Sequence, residues 1–147
     1  MVLFVVYQVN KDFNIGMKII NKALLDETTR RAKESPRLRM NYNLHDSLDA
    51  KAQKLLNALE PGTELPVHRH QLTSETYVLL RGKLNVIFYN EQKEIIETVH
   101  LDTTAGNFGV DIPAGQWHTI EVLETGTIIL EVKDGPYAPF QPEDILQ

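Results

Sequence analysis

The strongest constraint on the fold lies in residues 62–82, where two histidines and a glutamate fall within eight positions. Side chains alternate between the two faces of a β-strand, so His68 and His70 project to one side and Arg69 to the other. The short polar turn at residues 71–74 can bring the chain back so that Glu75 meets the imidazoles. Two imidazoles and a carboxylate on one face bind a first-row transition metal and leave coordination positions open.

A second motif supplies a third imidazole. Pro113 and Gly115 set a tight turn that delivers His118 to the start of another strand. A lone surface histidine carries no such meaning, and the combined spacings are what support a metal site. The predicted cofactor is one divalent transition metal (Fe, Mn, Ni or Zn), and its predicted ligands are His68, His70, Glu75 and His118.

Composition narrows the classes of function. A length of 147 residues is most simply one domain with a substantial core. The chain has no cysteine, so it has neither disulfides nor thiolate ligands, and this fits a reducing cytoplasm. The net charge of −5, without a basic run, argues against nucleic acid and against an anionic membrane surface. We therefore expect a small soluble ligand as the partner.

The first third of the chain precedes the motif. Residues 1–16 open with an apolar run too short to span a membrane, and we interpret them as an N-terminal extension, either an extra edge strand or an upstream start. Residues 17–52 are predicted to form a helix, from an N-cap at Asn21 to about Glu34, followed by a polar connector that packs on the barrel. The connector is either solvated or a source of substrate contacts from Arg37, Arg39, Asn43 and His45.

The remainder, residues 53–147, is predicted to be a barrel and a C-terminal tail. Residues 53–59 have helical propensity, but they must feed the metal-binding motif and are therefore expected to be a strand. From Thr76 onward, short strands alternate with Gly and Pro turns, as in an all-β jelly roll. The proline-rich tail after Asp134 is expected to lie over the surface.

The spacings resemble the two cupin motifs. The first motif matches at every position, and the second departs at Gly106, one residue too far upstream, and at Val122, where asparagine is frequent. From Met17 onward the chain also resembles the WbuC-type cupin metalloproteins of bacterial polysaccharide and O-antigen biosynthesis. Segments that carry this resemblance are Ser35-Pro-Arg-Leu-Arg39, Asn43-Leu-His45, Leu55-Leu-Asn-Ala-Leu-Glu-Pro-Gly62, Pro113-Ala-Gly-Gln-Trp-His118 and Leu130-Glu-Val-Lys-Asp-Gly-Pro-Tyr137. The resemblance implies a metal-binding cupin-type double-stranded β-helix, a jelly-roll barrel with a short N-terminal helix.

Three functions remain open at this point, because cupins host many activities. The first is an enzyme that acts on a sugar or nucleotide-sugar derivative, with Tyr77 as the candidate acid–base residue because it shares a strand face with Glu75. The second is a non-catalytic sensor or carbohydrate-binding module, and the third is an Fe(II)-dependent oxygenase. Exposed edge strands make a homodimer the expected assembly.

Overall fold

The computed structural model of the protein describes residues 16–147. The predicted N-terminal extension lies outside these residues apart from Gly16. One helix and eight strands follow in chain order: α1 (Lys22–Glu34), β1 (Arg39–Asn43), β2 (Ala52–Leu59), β3 (Glu75–Arg81), β4 (Lys83–Tyr89), β5 (Ile95–Asp102), β6 (Gly109–Ile112), β7 (Trp117–Val122) and β8 (Thr127–Asp134). Two 3₁₀ turns, Thr103–Ala105 and Pro142–Asp144, complete the described elements.

The strands form two antiparallel sheets. One sheet has five strands in the order β1-β2-β8-β3-β6, and the other has three in the order β5-β4-β7. Consecutive strands β3 and β4 lie in different sheets, so the chain changes sheets at Gly82. The predicted fold class is confirmed: the protein is an all-β jelly roll, with one short helix near the start of the described residues.

Apolar side chains fill the space between the sheets. Leu84 and Val86 of β4 and Ile129 of β8 are fully buried in this interior cluster, and Tyr77 and Leu79 of β3 belong to it. A second, smaller cluster lies on the opposite face of the larger sheet, where Ala32 of the helix and Leu56, Ala58 and Ile128 of the sheet are buried. Strands β2 and β8 are therefore apolar on both faces over part of their length. One face of each strand packs inside the barrel, and the opposite face packs against α1.

The helix forms where the sequence predicts it. The Asn21 side chain accepts a hydrogen bond from the Leu24 backbone N–H at 3.0 Å, which caps the first turn. Thr28 and Ala32 are buried against the sheet. The helix ends at Glu34, two residues before Pro36, whose ring prevents further helical hydrogen bonding.

The strand predicted at residues 53–59, against local helical propensity, is confirmed as β2. It pairs with β8 on one side and with β1 on the other, so tertiary pairing decides its conformation. The segment predicted as an irregular connector contains β1, which that prediction missed. Its residues Met40 and Tyr42 pack on the cluster beneath the helix and make strand pairing favourable.

Within residues 16–147, no helix is long and apolar enough to cross a membrane.

Candidate metal centre

The two sequence motifs meet through a pair of backbone hydrogen bonds. The His68 N–H donates to the His118 carbonyl at 3.0 Å, and the His118 N–H donates to the His68 carbonyl at 2.9 Å. His68 forms this isolated bridge instead of lying in a continuous strand. A further hydrogen bond holds the turn before His118 in place: the Gly115 N–H donates to the His70 carbonyl at 2.7 Å. These contacts bring together residues that are about fifty positions apart in sequence.

The side chains of the predicted ligands converge at this junction. The ligand atoms of His68, His70 and Glu75 lie within 4.8 Å of one another. Glu75 Oε2 is 2.9 Å from His70 Nε2 and 3.2 Å from His118 Nε2. The His118 ring centroid is 4.3 Å from that of His68. The structure thus places all four residues together, with His70 the most exposed of them and the other three buried.

Backbone carbonyls orient two of the imidazoles. His68 Nδ1 lies 2.9 Å from the Pro66 carbonyl oxygen, and His118 Nδ1 lies 2.9 Å from the Gln116 carbonyl oxygen. A carbonyl oxygen only accepts hydrogen bonds, so each Nδ1 carries a hydrogen, and in the neutral imidazole the Nε2 then presents a lone pair. This arrangement of a histidine with its second nitrogen held by a carbonyl is typical of metal ligands.

The residues present fit a cation. Glu75 Oε2 is buried and has no hydrogen-bond partner among the described residues, although His118 Nε2 is only 3.2 Å away. Two lone pairs facing each other at this distance repel unless a cation or a proton lies between them. Imidazole nitrogen and carboxylate oxygen are donors suited to Fe, Mn, Ni or Zn.

Burial and neighbouring charges set the protonation states. Burial, with a smaller contribution from His118, lowers the pKa of His68 to about 4, so this imidazole is neutral and able to bind a metal at neutral pH. Burial alone would raise the pKa of Glu75, but the adjacent imidazoles of His118 and His70 outweigh it and hold that pKa well below its usual range. Glu75 is therefore an anion beside the neutral His68 imidazole.

A second layer of polar groups lies next to the cluster. The Tyr77 hydroxyl is 3.4 Å from His118 Nε2, and Glu131 is directly opposite Tyr77 in the pairing of β3 with β8. The Asn57 side-chain N–H donates to Glu131 Oε1 at 3.0 Å. Burial raises the pKa of Glu131 to about 7, with a smaller contribution from the negative charge of Glu75. Burial, followed by the same charge, raises the pKa of Tyr77 well above its ordinary value.

Replacement of Glu131 by glutamine tests this environment. In the folded protein Glu131 holds its proton up to about pH 7, whereas in the unfolded chain it ionises near its ordinary pKa of 4.5. The unfolded state binds fewer protons between these values, so the free energy of unfolding falls as pH rises through that window. Glu131→Gln has no such loss. From pH 5 to pH 8, its free energy of unfolding should therefore rise by about 2 kcal/mol relative to that of the native protein, with allowance for partial exposure. Urea unfolding of both metal-free proteins measures the difference, and identical pH dependence would contradict it.

A cavity of about 600 Å³ opens beside the cluster. His70 lines it, and so do the turn at residues 71–73, the end of β8 and the C-terminal tail. The tail therefore lies over the barrel mouth, and its Phe140 ring is 4.8 Å from the His68 ring and 5.4 Å from the His70 ring, between centroids. Sequence reasoning placed the tail on the surface but gave it no part in the site.

The four residues predicted to bind substrate lie elsewhere in the structure. Arg37 and Arg39 line a shallow recess with Gly62, and the Arg39 guanidinium donates to the Glu64 carbonyl at 2.9 Å. Asn43 is exposed at the end of β1. None of these three lines the cavity beside His70.

His45, the fourth of the residues predicted to bind substrate, is buried, and its Nδ1 accepts a hydrogen bond from the Lys54 N–H at 3.0 Å. It does not line the cavity beside His70 either. This hydrogen bond gives His45 a structural role, because it connects the segment after β1 to β2. A substrate contact from any of the four therefore stays a prediction, and it would lie away from the predicted metal ligands.

Comparison with known protein families gives one match for this chain. A family model described as "Domain of unknown function (DUF6016)" matches residues 20–101, which is more than half of the chain and includes three of the four predicted ligands. No curated protein matches the chain.

Similar solved structures carry the cupin fold. The cupin domain of Cnp3 from Schizosaccharomyces pombe is 13% identical with a TM-score of 0.53, over 65% of this chain and 64% of that one. KdgF from Halomonas sp. is 14% identical with a TM-score of 0.54, over 71% of this chain and 84% of that one. The capsular polysaccharide assembling protein CapF from Staphylococcus aureus is 22% identical with a TM-score of 0.51, over 74% of this chain and 30% of that one. At these identities the likeness establishes the fold, and the chain spans just under two thirds of the Cnp3 cupin domain and less than a third of CapF.

Proposed function

We propose a function for this chain as a member of the family described as domain of unknown function DUF6016, to which it belongs by a match over more than half of its residues. The proposed function is that of a metal-binding cupin that acts on a sugar or nucleotide-sugar derivative. One observation carries the proposal: the ligand atoms of His68, His70 and Glu75 lie within 4.8 Å of one another, and the buried Glu75 Oε2 lacks a hydrogen-bond partner in the described chain. His68, His70, Glu75 and His118 would hold the ion.

A bound divalent metal supplies a Lewis acid that polarises a carbonyl or hydroxyl oxygen of the substrate. The chain supplies groups that can move a proton close to it. Glu131, with its pKa of about 7, exchanges a proton readily at neutral pH, and Asn57 fixes its orientation. Tyr77 stays protonated and can donate a hydrogen bond at the cluster. These groups favour an enzyme over a purely binding module, because a binding site needs no group poised to ionise.

Other features support the finer parts of the proposal. The resemblance to WbuC-type proteins favours a substrate from bacterial surface polysaccharide, and CapF, named for capsular polysaccharide assembly, shares the fold. We further propose a cytoplasmic location and a homodimer formed through exposed edge strands. Strand β5 is suited to the latter, since it lies at the edge of its sheet and exposes Ile95 and Ile96.

Proton exchange in deuterated water tests the activity. Metal-loaded protein is mixed with sugars and nucleotide sugars that bind it, and proton NMR follows exchange at carbons next to a carbonyl. Exchange is expected with the native protein and should fall about a hundredfold or more in Glu131→Gln, with binding retained. Binding without exchange would support the sensor or carbohydrate-binding module, and oxygen consumption with the Fe(II) form would support the oxygenase.

Removal of the metal should lower the melting temperature without unfolding the barrel. The interior cluster holds the two sheets together without the ion, since Leu84, Val86 and Ile129 are fully buried. A metal that binds only the native state adds stability by mass action, about 3 kcal/mol at a hundredfold excess over Kd. Circular dichroism with and without a chelator measures the effect. Loss of the β-type spectrum at room temperature would instead make the ion a structural staple, and would weaken the proposal of an open site.

A further inference from the structure

The C-terminal strap, residues 136–146, crosses the barrel mouth and is attached at both ends. At its start, the Tyr137 N–H donates to the Leu48 carbonyl at 2.7 Å. At its far end, the Asp144 carbonyl accepts from the Arg69 N–H at 3.0 Å, and the Leu146 N–H donates to the Val67 carbonyl at 2.8 Å. The second attachment therefore clasps the backbone on both sides of His68.

Between these attachments the strap is free of the barrel backbone. Among the described residues, no backbone hydrogen bond joins residues 138–140 to the sheets. Pro139 has no N–H to donate and fixes its own backbone angle, which limits the conformations of this span. The Gln71 side chain adds one further contact, from its amide N–H to Asp144 Oδ1 at 2.7 Å, and this again lies at the far end.

The free span places an aromatic ring against the metal-binding imidazoles. Phe140 contacts the His68 and His70 rings, yet 42% of its surface remains exposed. It also lines the cavity that leads to His70. A ring that is held by two tilted aromatic contacts and remains 42% exposed can leave while the barrel stays folded.

We propose that the C-terminal strap gates the metal centre, with Phe140 as the lid over the His68 and His70 side of the cluster. The gate goes beyond the proposed function and rests on it for the presence of a metal. A lid that only blocks passage slows entry and exit of the ion equally and leaves its equilibrium affinity unchanged. A residue that holds the imidazoles in place changes the affinity instead.

Zinc exchange kinetics distinguish these roles. Stopped-flow mixing of the metal-free protein with Zn(II), and of the zinc-loaded protein with a chromophoric chelator, gives the association and dissociation rates. Phe140→Ala is expected to raise both rates about tenfold and to leave Kd within about twofold of the native value. Tyr137→Ala is the matched control, because Tyr137 is a half-exposed aromatic in the same strap and its attachment uses only backbone atoms.

Each outcome decides the matter. Native rates in Phe140→Ala, or an altered Kd with an unchanged association rate, would overturn the gate. An equal acceleration in Tyr137→Ala would also overturn it, since general loosening of the strap would then explain the effect. Failure of the native protein to bind Zn(II) would instead be a failure of the proposed metal site, and the gate would fall with it. Circular dichroism of both variants verifies that they are folded.

Discussion

His68→Ala, His70→Ala and His118→Ala should each weaken divalent-metal binding by about a hundredfold or more while the β-sheet spectrum is retained. Each substitution removes one nitrogen donor. His70 Nε2 and His118 Nε2 lie 2.9 and 3.2 Å from Glu75 Oε2, and the ligand atom of His68 lies within 4.8 Å of those of His70 and Glu75. The barrel should remain folded because its interior cluster contains none of these side chains. Metal content after equilibrium dialysis, measured by plasma mass spectrometry, gives the occupancy.

The chain offers a matched control for these substitutions. His100 lies on β5, is exposed, and bonds through Nδ1 to the Asn85 side chain at 2.9 Å, away from the cluster. His100→Ala should therefore retain native occupancy, which separates loss of a ligand from loss of any histidine. Full occupancy in two of the three ligand variants would refute the four-ligand site. Glu75→Gln should behave like the histidine variants, because it keeps the shape of the side chain and removes the anion.

The sequence was most informative where function depends on spacing. The alternation rule placed His68 and His70 on one side of the chain, and the turn at residues 71–74 returned Glu75 to them. The structure brings the predicted ligands together in this way, although His68 makes only isolated bridges, to His118 and Ile145, and does not lie in a strand. Side-chain alternation survives because it requires only an extended backbone, whether or not a ladder forms.

Sequence reasoning missed Glu131 because both faces of β8 are apolar. The alternating residues Ile128, Leu130 and Val132 are suited to a core, but Ile128 and Leu130 belong to the cluster beneath the helix. The other face, with Ile129 and Glu131, points into the barrel. A period of two identifies two faces and cannot tell which one is inside when a helix covers the outer one. The pairing of Tyr77 with Glu131 shows which face of β8 points into the barrel, and that pairing joins residues far apart in sequence.

The same limit explains the connector and the tail. Strand β1 forms because β2 offers it a partner and the helix offers Met40 and Tyr42 an apolar surface, and neither feature is visible within residues 39–43. The path of the tail over the metal cluster depends on hydrogen bonds to Val67 and Arg69, more than seventy residues earlier. Proline content predicted a tail that lies over the surface, but it carries no information about where an extended segment docks.

The corner at Gly82 depends on the absence of a side chain. Here the chain passes from β3 in one sheet to β4 in the other, with a left-handed φ of +87°. The Thr127 hydroxyl accepts from the Lys83 N–H at 3.1 Å and donates to the Glu124 carbonyl at 2.6 Å, and the residue is fully buried. A Cβ on Gly82 would overlap the Thr127 side chain and lie 2.5 Å from its Cα.

Gly82→Ala is therefore expected to lower the free energy of unfolding by about 4 kcal/mol, from left-handed strain and from overpacking against backbone that cannot move aside. Gly106→Ala is the matched control, since Gly106 has nearly the same φ, +83°, and nothing within 4 Å of its added Cβ. It should lose only about 1 kcal/mol, the left-handed strain alone. Urea unfolding of both variants in the presence of a chelator measures the two losses without a contribution from metal. Equal losses would mean that Thr127 yields and that the two sheets are not locked together at this corner.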